Sequence, residues 1–586
     1  MKSEAPRSST DLGLAISAFM ALLAGVTWIS GALASFLTGH GFPHGHPAAG
    51  LGAFAHFSNP SIAWNRPVGP IAIYWAFNVV GIGIAVGIAI YIKRFFDTSV
   101  PMRRPIASPN LVGLASRKEI SRAAGKNMLV AKSNTLRPSL TKAKPSDLGY
   151  KLGTSRNIQC WVSVEDSMLL LGPPRSGKGM NFVIPMILDS PGAVVTTSTR
   201  PDNLAITLAN RNNRGPVAIF DPQGLAGPPN KTSNLRWSLV RGCENPQTAM
   251  VRAQALVVEG AKSGVENGNF WRQQALSVTR CLLHAAALDG KNASDLYRWS
   301  HSAPGTKEAV SILTSHPLAT PGWAKALDAV IGADQRTRDS VWAMVANTFS
   351  PLADPKVLAA VSPLQEEEFD PLAFLALHGT LFLLGTSSGA SASASLVAAL
   401  IEDIIDAGRK LAALSPNQRL DPPLALILDE AANYPLPSLP QLMSEGGGSG
   451  ITTLAVLQSL AQARDQWGKE AASTIWDSAI VKIVLGGSAN AEDLRDISHL
   501  IGDRPSQEWS QTVHGSEANR SLTSSTQWRP ILEPSEIRRL PIGLGLLLLR
   551  SAPPIIMNLS PWTKRQDALL LSESRKQWER GKFSNA

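Results

Sequence analysis

Cysteine is nearly absent, with only Cys160, Cys243 and Cys281 among 586 residues. The number is odd, the spacing is wide and no CxxC pair occurs. This excludes a disulfide framework and a cysteine zinc site and suits a reducing compartment for most of the chain. Charge is scarce too. Asp, Glu, Lys and Arg make up 17% of residues, against about 25% in soluble globular domains, so apolar segments dilute the charge. The balance is basic, with a net charge of +10. That favours a nucleic-acid or anionic-membrane partner, although basic flanks of membrane segments account for it equally well. The length implies roughly two to four structural units.

Two runs lack charge altogether. Leu12 to Leu37 and Pro70 to Ile92 both exceed the roughly 20 residues that cross a bilayer. The first is too long for the core of a signal peptide. In the second, Gly83 and Gly87 form a small-xxx-small pair suited to close helix packing. Lys2 and Arg7 precede the first run, Lys93, Arg94, Arg103 and Arg104 follow the second, and the segment between carries only Arg66. The positive-inside rule then puts both termini in the cytoplasm, as in a multi-pass protein of a bacterial inner membrane. His40, His44, His46 and His56 lie between the runs without a standard ligand spacing. Residues 97–160 read as a basic membrane-proximal linker suited to anionic lipid or nucleic acid.

From Ser167 the pattern changes. "MLLLG" predicts a buried strand, "GPPRSGKGM" a loop and "NFVIPMIL" a helix, the context that identifies a phosphate-binding loop. Gly172, Pro173, Pro174, Arg175, Ser176, Gly177, Lys178, Gly179 and Met180 would bind the phosphates. Backbone amides would turn inward on the oxygens, Lys178 would add charge, and the helix N-terminus its dipole. The position after Lys178 usually carries Ser or Thr to hold magnesium; here it is Gly179. A second strand, "LALIL", ends in Asp429 and Glu430, at the carboxyl end where open α/β sheets bind ligands. In an ATP site Asp429 would hold Mg2+ and Glu430 polarise the attacking water; capping of the next helix is the other role such acids serve. Gln458, after "TTLAVL", stands where a polar side chain can sense the γ-phosphate. Further apolar runs at "AVVTTS", "VAIFDP", "TLFLLGT", "IVKIVLGG" and "GLGLLLL" predict a parallel α/β core. Residues 243–365 show helical patterns without a clear strand.

Taken together, these segments resemble the type IV secretion system coupling proteins, the TraG/TraD-like ATPases of conjugative DNA transfer. The resemblance is carried by "GPPRSGKGMNFVIPMIL", "FDPQG", "RWSLV", "FWRQQALSVTRCLLHAA", "LILDEAANYPLPSLPQLMSEGGGSGITTLAVLQSLAQARDQWG" and "RPILEPSEIRRLPIGLGLLLL", in that order after two apolar segments. It implies an α/β fold: a RecA-like P-loop domain with an inserted all-α domain, preceded by two transmembrane helices. The expected division is 1–96 membrane, 97–160 linker, 161–242 and 366–562 ATPase, 243–365 insertion and 563–586 tail. The implied protein is a homohexameric ATPase using ATP and Mg2+. It would recruit a relaxase–DNA complex or a secreted protein, contact DNA without sequence preference, and deliver the cargo to channel components. By motif position Lys178, Asp429, Glu430 and Gln458 are the catalytic set, with Asp429 on the metal.

Two departures from the family pattern stand out. The acidic, lysine-containing turn after "AVVTTS" is here Thr199-Arg200-Pro201-Asp202, and an arginine usual between Ser444 and Ile451 is replaced by glycines at 446–448 and 450. If that arginine serves a neighbouring subunit, Arg464 and Arg529 are the candidate replacements. A nucleotide-binding membrane receptor or scaffold with little hydrolysis, or a chromosome-segregation DNA pump, are the alternative functions.

Overall fold

The computed structural model describes residues 9–42, 46, 48–99, 111–222, 224, 235–257, 268–385, 393–513 and 520–583. It divides into two units, Met1–Pro105 and Ile106–Ala586.

The first unit holds helices Ser9–Leu37 and Ile71–Ser99, joined through the short helices Ala48–Ala55 and Ser61–Trp64. Among the described residues one helix is long and apolar enough to cross a membrane, through the window Ile71–Ile88. The N-terminal helix contributes the shorter apolar stretch Leu23–Leu37; its side chains before Leu23 lie outside the described residues, as do Lys2, Arg7, His44, Arg103 and Arg104. Two spans are therefore not established. The two long helices approach at Gly81, where a Cβ would fall 2.0 Å from Ser30 Oγ, whereas Gly83 and Gly87 have nothing within 4 Å. The small-residue contact is thus at Gly81, two residues before the pair that the spacing suggested. Among the described residues no group of three His, Cys, Asp or Glu is placed to hold a metal ion.

The second unit is built on one sheet. Its strands are β1 (Gly149–Ser155), β2 (Ile158–Ser163), β3 (Met168–Leu171), β4 (Val194–Ser198), β5 (Val217–Phe220), β6 (Thr380–Leu384), β7 (Leu424–Leu428), β8 (Ile451–Leu457), β9 (Val481–Leu485), β12 (Leu544–Leu549) and β13 (Ile555–Leu559). They lie in the order β2-β1-β13-β12-β9-β3-β8-β7-β4-β6-β5. From β9 to β5 every neighbouring pair is parallel; the remaining four strands extend one side antiparallel. Strands β3, β4, β7 and β8 are buried along their whole length because both faces are covered. Leu169 and Leu171 enter one core, with Leu426 and Leu428. Met168 and Leu170 enter the other, with Ala425 and Ile427. This is why β3 and β7 read as unbroken apolar runs rather than alternating ones.

Between Pro246 and Ala360 the described residues form helices without strands. They are tied to the sheet layer by a buried ion pair, Arg252 to Asp403 at 2.5 Å, with Trp237 Nε1 donating to the same carboxylate at 2.9 Å. The structure departs from the expected organisation in three places. Most of the described part of the expected linker is folded, with helices Arg117–Ala124 and Lys126–Ala131 and strands β1 and β2 added to the sheet edge. Strand β1, "GYKLGTS", lacks an apolar run, so its sequence does not announce it. The expected tail contains helix Ala568–Phe583, in which Ser574 Oγ donates to Ala205 O at 3.1 Å. Finally, β10 (Asp503–Val513) and β11 (Arg520–Pro530) form a separate two-stranded ladder whose polar sequence hid it.

Candidate nucleotide site

The loop 172–180 leaves β3 at its carboxyl end. Gly172 N–H donates to Leu457 O at 2.9 Å, fastening the loop to β8. A Cβ on Gly172 would lie 2.8 Å from Ser176 Oγ, and Gly177 has φ +88°, so the turn needs glycine at both positions. The helix entered from Lys178 begins with a π-turn at Gly179–Val183, a local widening common at functional sites. Asn181 secures it, its Nδ2 donating to Gly177 O at 2.8 Å.

β7 lies two strands from β3, with β8 between them. Asp429 and Glu430 therefore emerge at the same sheet end as the loop, and Gln458, just after β8, emerges between them. Lys178 Nζ is 3.7 Å from Asp429 Oδ1 and 3.7 Å from Glu430 Oε1. Glu430 adopts φ +53°, a left-handed conformation uncommon for a residue with a Cβ. Its Oε2 accepts from Thr199 Oγ1 at 3.1 Å and Asn433 Nδ2 at 3.0 Å, while Thr197 Oγ1 donates to Asp429 O at 2.8 Å. Burial raises the Asp429 carboxyl above the usual carboxylate range, against the opposing charge of Lys178. Lys178 Nζ, Asp429 Oδ1 and Ser176 Oγ are all buried without a hydrogen-bond partner. Orphaned polar atoms of this kind are costly unless a ligand satisfies them.

Thr199 and Asn433 are site residues that the sequence did not single out. Thr199 falls in the turn noted as unusual, but only the fold brings it to Glu430. The glycine-rich segment 446–450 lies at the other end of the sheet, before β8. Seven strand residues separate it from Gln458, about 20 Å of strand, so it cannot complete the site of its own chain. Of the two candidate arginines, Arg464 is engaged by the buried Asp493 at 3.0 Å. Arg529 stands on the ladder opposite Arg504.

Residues 423–542 match the family model described as the TraM recognition site of TraD and TraG. No curated protein matches the sequence. Among solved structures, the unbound bacterial conjugative coupling protein TrwBdeltaN70 is similar with a TM-score of 0.53 and 18% identity, over 75% of this chain and 92% of that one. TrwB in complex with the ATP analogue ADPNP gives 0.53 and 18%, over 76% and 93%. TrwB with ADP and Mg2+ gives 0.52 and 18%, over 73% and 91%. The mixed α/β architecture with its large parallel sheet is thus shared with TrwB, and a separate sequence match covers β7 to the start of β12. The family resemblance carried by the motifs agrees with both comparisons: residues 423–542 match the TraD and TraG model, and the fold is similar to that of the conjugative coupling protein TrwB.

Proposed function

We propose that this chain is a membrane-anchored ATPase that couples cargo, relaxase-bound DNA or protein, to a type IV secretion channel. The convergence of Lys178 on Asp429 and Glu430 carries the reading, because two remote segments supply one buried site with unsatisfied polar groups. The residues present fit a magnesium nucleotide: the uncoordinated Asp429 Oδ1 and Ser176 Oγ are hard oxygen donors of the kind magnesium takes, and Lys178 Nζ awaits an anion. Magnesium, when bound, neutralises phosphate charge. The amides of 172–180 cradle the phosphates and Lys178 shifts from the carboxylates to them. Asp429 faces the metal, and Glu430 accepts a proton from the attacking water. Gln458 is placed to sense the terminal phosphate. A homohexamer of such chains would turn hydrolysis into movement, with salt-sensitive, sequence-independent contacts to DNA. The apolar window Ile71–Ile88 supports the membrane anchor; two spans with both termini cytoplasmic complete the proposed topology.

The test is ATP turnover of the purified protein, with and without DNA, against Glu430→Gln and Lys178→Ala. Turnover well above both variants is expected. Equal rates would support the scaffold reading, which the glycine-rich segment 446–450 and its missing arginine favour.

A further inference from the structure

Gly179 leaves the phosphate loop without the hydroxyl that ordinarily faces magnesium, yet the space beside it has an oxygen. A Cβ built on Gly179 would have Asn203 Oδ1 as its nearest neighbour, at 3.9 Å. Asn203 is 5% exposed and lies in the first turn of helix Asp202–Asn212. Its side chain also acts on the Asp429 carboxyl, favouring the charged form against the effect of burial. An amide has one donor end and one acceptor end. With the NH2 group turned to the Asp429 carboxylate, the carbonyl oxygen is the end that faces Gly179. Asn203 thus lies between Gly179 and Asp429, whose Oδ1 is unpartnered.

We propose that Asn203 supplies the side-chain oxygen that Gly179 lacks, holding magnesium or one of its bound waters together with Asp429. The proposal rests on the reading of the site as one for a magnesium nucleotide. A neutral carbonyl oxygen is a suitable donor for this ion, which keeps several waters and takes few protein ligands. The missing hydroxyl is then replaced from a neighbouring helix, and the metal need not be lost.

The experiment is calorimetric binding of ADP to the full chain, in Mg2+ and in EDTA. The wild type is expected to bind more tightly with Mg2+. Asn203→Ala is expected to leave the EDTA affinity unchanged and to lose about tenfold or more of the Mg2+ gain, the range seen when metal-supporting groups are removed. Asn203→Asp should retain the gain. Adding Gly179→Ser to Asn203→Ala should restore it, since the space at Gly179 admits a side chain. A residue that merely orients Asp429 would not be rescued by a hydroxyl at position 179. An undiminished Mg2+ gain in Asn203→Ala, or no rescue by Gly179→Ser, overturns the proposal. If Asn203→Ala does not fold, the near-isosteric Asn203→Leu takes its place: loss of the Mg2+ gain supports the proposal, and an undiminished gain overturns it. A wild type that binds ADP without any Mg2+ gain would instead overturn the underlying magnesium-nucleotide reading.

Discussion

Thr199 Oγ1 donates a hydrogen bond to Glu430 Oε2 across 3.1 Å, joining the exit of β4 to the exit of β7. With Asn433 on the same oxygen, it leaves Oε1 facing Lys178. The carboxylate is therefore aimed before any substrate arrives, as a general base must be. Thr199→Val keeps the shape and removes the donor. We expect kcat to fall about tenfold with nucleotide affinity and melting temperature unchanged, displacement of a catalytic group being costly. Thr199→Ser should recover most of the rate. Steady-state ATPase kinetics on the three proteins decide; a Thr199→Val enzyme with wild-type kcat would remove the clamp from the mechanism.

The buried Asp429 carboxyl has its pKa raised, chiefly by burial. A raised folded-state value means that stability is present in full below the unfolded value and is lost as pH rises through the folded one. In the nucleotide-free protein, Asp429→Asn should therefore melt about 2 °C higher than wild type at pH 7.5. The difference should shrink as pH falls into the ordinary carboxylate range. Melting curves across pH 4 to 8 test this, and a difference that grows toward acid pH would contradict the sign.

Gly447, in the segment before β8, has no room for a side chain. A Cβ there would stand 1.9 Å from the backbone oxygen of Glu165, and Glu165 is itself engaged by Lys132 at 2.7 Å and by the buried Arg419 at 3.5 Å. Gly447→Ala should destabilise by about 1–3 kcal/mol through overpacking. ADP affinity should be unchanged, because the segment is remote from the loop 172–180. Denaturant unfolding beside calorimetry checks both halves. Unaltered stability would mean that the turn moves aside, leaving the glycine unexplained.

All three thiols are buried, and burial pushes each up to about 11. Thiolates are the reactive form, so an aromatic disulfide reagent at pH 7.5 should label none of the three in the native protein and all three in denaturant. Rapid native labelling would place at least one of them in an opening segment.

The sequence by itself determined the parallel core and the strand ends at which the candidate site forms. Fully buried strands are mostly apolar, so β3, β7 and β8 announce themselves, and they are followed by Gly172 to Lys178, by Asp429 with Glu430, and by Gln458. Only the tertiary structure decided what surrounds those groups. Strand β1 lies between β2 and β13 in the antiparallel extension, β10 and β11 form a separate ladder, and all three carry polar residues, which erase the signal that burial writes. The roles of Thr199, Asn203 and Asn433 arise from hydrogen bonds or close approaches between segments as much as 231 residues apart. The meaning of Gly447 likewise depends on a backbone oxygen in another loop. Such contacts depend on which ends of which strands lie side by side. That is a property of the sheet order, and no local run of residues encodes it.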